Sequence, residues 1–483
     1  MTGCCNRRAV TLAVGALAAP LALSAQTSAF PEPPPSTPAA TLVVPRVRSA
    51  SLGNGIQLRI VEQPELPLAQ VTLVVAGGSR LDGDAPGLAS FMAGMLDEGA
   101  GARDALALQS EIAYLGASLS AFADWDRVVV SLKAPVRTLP AALDLMADVV
   151  MRPTFRATEV RRQRDLRLTS LLQRRDQPNA LADLAFNQVV FPAAHPYHRC
   201  ALGDSASVAR FDSVGVRSFY DRLLRPDRAT IYVVGDVDEP QARRLVQERF
   251  GAWRGAAVAM PAPPLLPPVP AREVSRVFLV DKPQAAQSVI IIGWPGVERT
   301  TPDYAAITVM NTVLGGSFSS RLNTNLRETK GYTYGASSGF SWRVAPGPFS
   351  ASASVRTDVT DSSLVEFFRE LRAIRDTLVP AVEVARAKAY VELRLPGSLE
   401  STTQVANQLA QLAMFGLTLE ELPRFAAQVR AVTSADVQRV ARRYLAPDQA
   451  AIVVVGDLGR IRPGIEALRL GEITVLEVGQ IAR

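Results

Sequence analysis

The segment Ile231-Tyr-Val-Val-Gly-Asp236 recurs as Ile452-Val-Val-Val-Gly-Asp457, 221 residues later. Each copy follows a helical pattern that closes on Leu-Arg-Pro-Asp (224–227) or Leu-Ala-Pro-Asp (445–448). Earlier in the two copies, Gln70-Val-Thr-Leu-Val-Val75 matches Gln287-Ser-Val-Ile-Ile-Ile292 at an offset of 217. Phe91-Met92 and Met95-Leu96 match Val309-Met310 and Val313-Leu314 at 218. A near-constant offset across independent segments means a duplicated domain. Two copies make a tandem pair and not a solenoid, so each half must carry its own core.

Proline marks the boundaries. Pro31 to Pro38 is a stiff, unpaired leader, and the run from Pro261 to Pro270 can be neither helix nor central strand. The chain divides accordingly into an N-terminal segment (1–29), a leader (30–44), a first half (45–256), a linker (257–273) and a second half (274–483). Within the first half, 56–61 and 70–76 have strand character, followed by helical patterns near 86–97 and 104–115. Alternating segments at 117–123 and 127–133 flank Asp124-Trp125-Asp126 as a hairpin, and helices near 137–151 and 156–175 come next. Strands and helices in blocks predict an α+β fold of two homologous domains, each a largely antiparallel sheet with helices on one face.

Arg7 and Arg8 precede an apolar run from Ala9 to Leu23, with small residues at Ser24, Ala25 and Ala29. That is the pattern of an export signal, by the general secretory or twin-arginine route, and it predicts a periplasmic or secreted protein. The run is too short to span a membrane convincingly. Cys4 and Cys5 fall within the signal, so Cys200 alone remains and no intramolecular disulfide can form. The net charge of +6 is spread over 48 arginines and four lysines among 46 acids. The densest run (Arg161, Arg162, Arg164, Arg167, Arg174 and Arg175) spreads around a helix as a solvated face would. Nucleic acid is therefore not an expected partner.

The second half carries the most specific chemistry. Ser317 or Ser319 can cap a short helix with Phe318, Leu322 and Leu326 on its apolar face, and Gly331 ends it. Arg327 falls in the last turn and Tyr334 in the strand beyond, so the two side chains can converge. A guanidinium and a phenol aimed at one point are donors suited to a developing oxyanion. Spacing alone favours a plainer account, in which the arginine serves its own helix end and the tyrosine packs in a sheet.

The whole stretch 315–338, with its Gly-Gly-Ser-Phe-Ser-Ser-Arg-Leu lead-in, resembles the second-domain signature of the insulinase/pitrilysin-like zinc peptidases. That group includes mitochondrial processing peptidase. The resemblance extends over roughly 45–480 and implies that Arg327 and Tyr334 are the pair that faces the scissile peptide. It also implies an inverted H-x-x-E-H zinc motif on a first-domain helix after Gly78-Ser79-Arg80. Those motif positions hold Ser90, Ala93 and Gly94, and Gly94 stands mid-helix in the expected pattern. The third ligand register falls at about Thr169 or Ser170. None of these side chains suits zinc or activates a water. His195-Pro-Tyr-His198-Arg-Cys200 has metal-like spacing, but the family carries a similar His-Pro-Tyr loop, and no metal is expected there.

By the same resemblance, Ala117, Ser118, Leu119, Ser120 and Ala121 form the edge strand on which family members lay a peptide. The implied role is the zinc-less subunit of a heterodimeric peptidase acting on peptide or unfolded polypeptide, with zinc on the partner subunit and none in this chain. The alternative is a non-catalytic peptide-binding or scaffolding homologue.

Overall fold

The computed structural model describes residues 42–256 and 266–482. The expected signal (1–29), nearly all of the leader and the linker residues 257–265 lie outside the described residues. Each half builds a six-stranded sheet. In the first, the strands lie in the order Arg48–Ser51, Gln57–Glu62, Ala229–Gly235, Leu68–Ala76, Arg127–Pro135, Ser118–Ala123. In the second, the order is Glu472–Leu476, Arg276–Asp281, Ala451–Gly456, Gln287–Pro295, Pro348–Arg356, Thr333–Phe340. The last five strands correspond one to one. The first strand differs: it precedes the repeat in one half and runs antiparallel, but follows it in the other and runs parallel.

The sheets are largely antiparallel, as expected, with parallel pairing confined to 57–62 with 229–235 and to both neighbours of 276–281. The register refines the repeat. Val234 pairs with Gln70, and its counterpart Val455 pairs with Val289, so Gln70 answers to Val289 and not to Gln287. A two-residue slip leaves every side chain on its own face, which is why the sequence match at Gln287 looked sound.

Helices cover more than the one face anticipated. The helices of each half cover one side of its sheet, around Leu73, Phe91, Met146 and Phe219 in the first half and Ile292, Met310, Leu364 and Val440 in the second. The other side receives a helix from the opposite half. Pro178–Val190 lies on strands 287–295 and 451–456, placing Leu181 and Phe186 against Val289, Ile291 and Val453. Reciprocally, Thr402–Met414 lies on 68–76 and 229–235, placing Val405 and Leu409 against Val61, Tyr232 and Val234. The sequence reason is visible in the repeat itself. Strands reading Ile-Tyr-Val-Val and Ile-Val-Val-Val have no polar alternate to offer water, so both faces must be covered.

One polar cluster joins the halves. The hairpin 124–127 is set by Asp124, whose Oδ1 accepts from the backbone N–H groups of Asp126 (2.8 Å) and Arg127 (2.9 Å). That turn presents buried Asp126, which accepts from the Tyr197 hydroxyl at 3.1 Å and from Val344 N of the second half at 3.1 Å. The Arg343 guanidinium lies 3.9 Å from the Trp125 ring and 4.6 Å from that of Tyr197.

Candidate functional site

In the first half, Leu88–Gly94 is the helix of the expected motif. Asp82 holds its start, accepting from Gly87 N at 2.7 Å and Ala89 N at 2.8 Å, while burial pushes its carboxyl up to about 7. Gly94 is the last helical residue and not a mid-helix one, and the space beside its Cα is open. Ser90 Oγ donates to Ala201 O at 2.7 Å and accepts from Arg167 Nη1 at 3.1 Å. The same Arg167 nitrogen also donates to Leu202 O at 3.2 Å.

Arg167 was expected on a solvated face of helix Ala157–Arg174; it turns inward instead, and burial disfavours its charge. The positions expected for a third ligand, Thr169 and Ser170, are exposed. A hydroxyl already committed, a methyl group, a glycine and a facing cation do not fit a zinc ion. Among the described residues, no group of three His, Cys, Asp or Glu could hold a metal.

The histidine loop is structural. His195 is 2% exposed, its Nδ1 accepts from Tyr197 N at 3.1 Å, and its ring lies 4.9 Å from those of Phe191 and Tyr197. His198 Nδ1 is bonded to Phe191 O at 2.9 Å, so the pair does not converge on a common point as ligands would. Burial, then the nearby Arg343 and His198, lower the His195 pKa from 6.5 to about 4. The folded protein thus keeps this ring neutral where the unfolded chain protonates it. Its contribution to stability is complete above pH 6.5 and is lost as pH falls toward 4. Asp82 slopes the other way between 3.8 and about 7. Asn at position 195 can still cap Tyr197 but does not titrate. His195→Asn is therefore expected to melt with a flatter acid limb than wild type between pH 6.5 and 4, and parallel limbs would refute this account.

Ser118–Ala123 is the terminal strand of its sheet and pairs only with 127–135. Ala117 lies just before it. Leu119 and Ala121 turn inward onto the core, whereas Ser118, Ser120 and Phe122 are exposed. Helix 88–94 lies against this strand.

The second half differs locally from the expected short helix. Regular helix is limited to Arg321–Asn323, and Thr324–Thr329 is a wider π-helical turn, a form frequent at functional sites. Ser320 occupies the cap position with no side-chain bond, while the Ser317 hydroxyl donates to Thr312 O at 3.1 Å instead. Leu322 and Leu326 are buried as expected, but Phe318 is 66% exposed. Its ring lies 4.5 Å from the Arg327 guanidinium, which it helps to hold. Among the described residues, Arg327 ion-pairs only with exposed Glu328 at 3.4 Å, a weak restraint.

Three asparagines, not anticipated from sequence, fix this turn. Asn311 Nδ2 donates to Ser338 O at 3.0 Å, and Asn323 Oδ1 accepts from Ala336 N at 3.2 Å, tying the helical segment to strand 333–340. Asn325 Nδ2 donates to Glu366 (2.9 Å) and Glu370 (2.8 Å). Burial works against the charge of Glu366, but Asn325, Lys330 and Arg369 hold its carboxyl below the usual range. Gly315 permits the close approach, since a Cβ there would lie 2.4 Å from Ser338 N. For Asn323 and Asn325 the signal was present in Arg321-Leu-Asn-Thr-Asn325, where two amides sit in a stretch of poor helix formers.

Beyond Gly331, which turns the chain at φ +62°, the strand opens with a bulge between Thr333 and Ala336. Thr333 Oγ1 donates to Ser354 O at 2.6 Å and accepts from Gly335 N at 3.1 Å, closing the bulge around Tyr334. A bulge re-aims side chains. Tyr334 is 89% exposed, and among the described residues its hydroxyl has no hydrogen-bond partner. It does not pack in the sheet.

The sequence profile of the insulinase peptidase family (M16) matches residues 59–191, and that of the peptidase M16 inactive domain matches 215–391. An uncharacterized zinc protease of Mycobacterium bovis is 27% identical over 88% of this chain and 96% of its own length. The mitochondrial-processing peptidase subunit beta of Lentinula edodes is 24% identical over 88% and 94%. A crystal structure described as a peptidase M16 inactive domain from Pseudomonas fluorescens aligns with a TM-score of 0.77 at 27% identity, covering 85% of this chain and 98% of that one. A Helicobacter pylori protease shares the fold at TM-score 0.79 and 20% identity, over 86% and 100%. With two profiles spanning both halves and Ser90, Ala93 and Gly94 on the first-half helix, this chain belongs to the insulinase family as a member that lacks the zinc motif.

Proposed function

We infer that this chain is the zinc-less subunit of a two-subunit peptidase, exported by its N-terminal segment, and that it lends Arg327 and Tyr334 to a peptide held at a zinc-bearing partner subunit. The observation that carries this reading is Tyr334: a phenol 89% exposed and without a hydrogen-bond partner among the described residues, on a bulge closed by bonds of Thr333 and Gly335. Arg327, stacked on Phe318, keeps most of its donors free. When attack turns the scissile carbonyl into an oxyanion, a phenolic O–H and a guanidinium fixed beforehand stabilise it without reorganising. The open edge of 118–123 supports capture of extended substrate by added-strand pairing.

The test is reconstitution with a purified insulinase-family subunit that carries H-x-x-E-H. Peptide cleavage is expected from the mixture, with neither zinc nor cleavage in this chain alone. One tightly held zinc in this chain with chelator-sensitive cleavage would overturn the reading. The partial restraint of Arg327 by Phe318 favours, as a second reading, a binding or scaffolding homologue. In that case the mixture assembles but cleaves no faster than the partner does alone.

A further inference from the structure

A cavity of about 680 Å³ lies between the end of helix Ala157–Arg174, helix Pro178–Val190, the loop 198–210 and the closing turn Val478–Ile481 of the second half. Small-molecule sites span about 300–1,000 Å³ and combine apolar walls with a few convergent polar groups. Here Leu171, Leu184 and buried Ile481 supply the apolar part. The charged part is three guanidiniums, of Arg174, Arg199 and Arg210, against two carboxylates, of Asp84 and Asp204.

The carboxylates do not pair with the arginines. Asp204 Oδ1 accepts from Ser207 N at 2.7 Å, and neither acid makes an ion pair among the described residues. Arg199 donates to Gly83 O, but the guanidiniums of Arg174 and Arg210 have no hydrogen bond or ion pair among the described residues. Arg174 acts on Asp183 only at longer range. It is half-buried, and its Nε is shielded from water without a partner. Ser207, 2% exposed, places in the same wall a hydroxyl that also lacks one. Buried polar groups are nearly always hydrogen-bonded, so two exceptions in one wall ask for acceptors from outside the chain.

We propose that this cavity binds a small organic anion, whose carboxylate or phosphate oxygens accept from Arg174 and Arg210 and whose apolar body lies on Leu171, Leu184 and Ile481. The site stands apart from Arg327, Tyr334 and peptide capture. Its loop is nevertheless the one that seats the former metal position. Ala201 O accepts from Ser90 and Leu202 O from Arg167, while Cys200 and Gly203 line the cavity.

The probes are phenyl phosphate and benzoate, titrated into the full chain by calorimetry with chloride at matched ionic strength as the reference. One site per chain is expected for at least one probe, and the tighter of the two identifies the head group. Hydrogen exchange should slow in 198–210 on binding. Arg210→Gln, an exposed change that leaves the fold alone, should weaken binding about 10-fold or more, and Arg174→Gln likewise, the scale of a charge-assisted bond. Arg161→Gln, exposed on the same helix and outside the cavity, should bind as wild type does. No binding of either probe beyond that of chloride would overturn the proposal, and that result needs no variant to fold. Exchange protection elsewhere but not in 198–210 would overturn it too, as would equal affinities in wild type, Arg210→Gln and Arg174→Gln. An equal loss in Arg161→Gln would reduce the effect to general surface charge and overturn it as well.

Discussion

Replacing Tyr334 by Phe is expected to lower the turnover of the reconstituted two-subunit peptidase by about 10²–10³, the usual effect of removing one preorganised oxyanion donor. The structure makes this a clean substitution. The hydroxyl bonds to none of the described residues and the ring is in solvent, so assembly and melting temperature should stay at the wild-type values. Arg327→Lys should also be poor. An ammonium on a flexible stem does not reproduce the planar fork or its stacking on Phe318. Turnover and melting curves on the same variants decide the matter. Full activity in Tyr334→Phe would remove the tyrosine from the reaction, and a stability loss without a rate loss in Arg327→Lys would make the arginine structural.

Asp126→Ala is expected to be the most destabilising change at the junction between the halves, by about 3–5 kcal/mol in chemical denaturation. Asp126 is 4% exposed and is the acceptor for both the Tyr197 hydroxyl and Val344 N. Arg80 is ion-paired with it at 3.7 Å. Truncation strands all three, and leaves half-buried Arg343 with one fewer opposing charge. Asp126→Asn should cost far less, about 1 kcal/mol, because the amide oxygen still accepts. Burial raises the pKa of this carboxyl, against the opposing pull of Val344, Arg80 and Tyr197. Equal losses in the two variants would assign the effect to charge rather than to the acceptor.

The fold was legible wherever period and repeat spoke together. The duplicated Ile-x-Val-Val-Gly-Asp strands, the 118–135 hairpin and the helix at 88–94 fall where their patterns place them. Arg327 and Tyr334 are singled out by the motif they sit in, and their role is a proposal; Ser90, Ala93 and Gly94 are read as unfit for zinc from residue type. What the sequence withheld was long-range. Nothing in Arg167 marks it off from Arg161 or Arg164, because its partners Ser90 and Leu202 are 77 and 35 residues away. The π-helical turn and the bulge were likewise hidden, since both come from amides and hydroxyls bonding across elements. Phe318 looked like core by spacing and is a lid over a guanidinium.

The reciprocal helices have a consequence for the life of the nascent chain. The outer face of the first sheet, with Val61, Tyr232 and Val234, is covered by helix 402–414, which is synthesised about 170 residues after the sheet's last strand. At 5–20 residues per second, that interval is roughly 10–30 s. Throughout it the first half has a greasy surface with no mate, and it cannot be finished as a separate domain. Under the export proposed above, this delay is useful: an N-terminal half unable to close on itself stays threadable until its C-terminal half has been made.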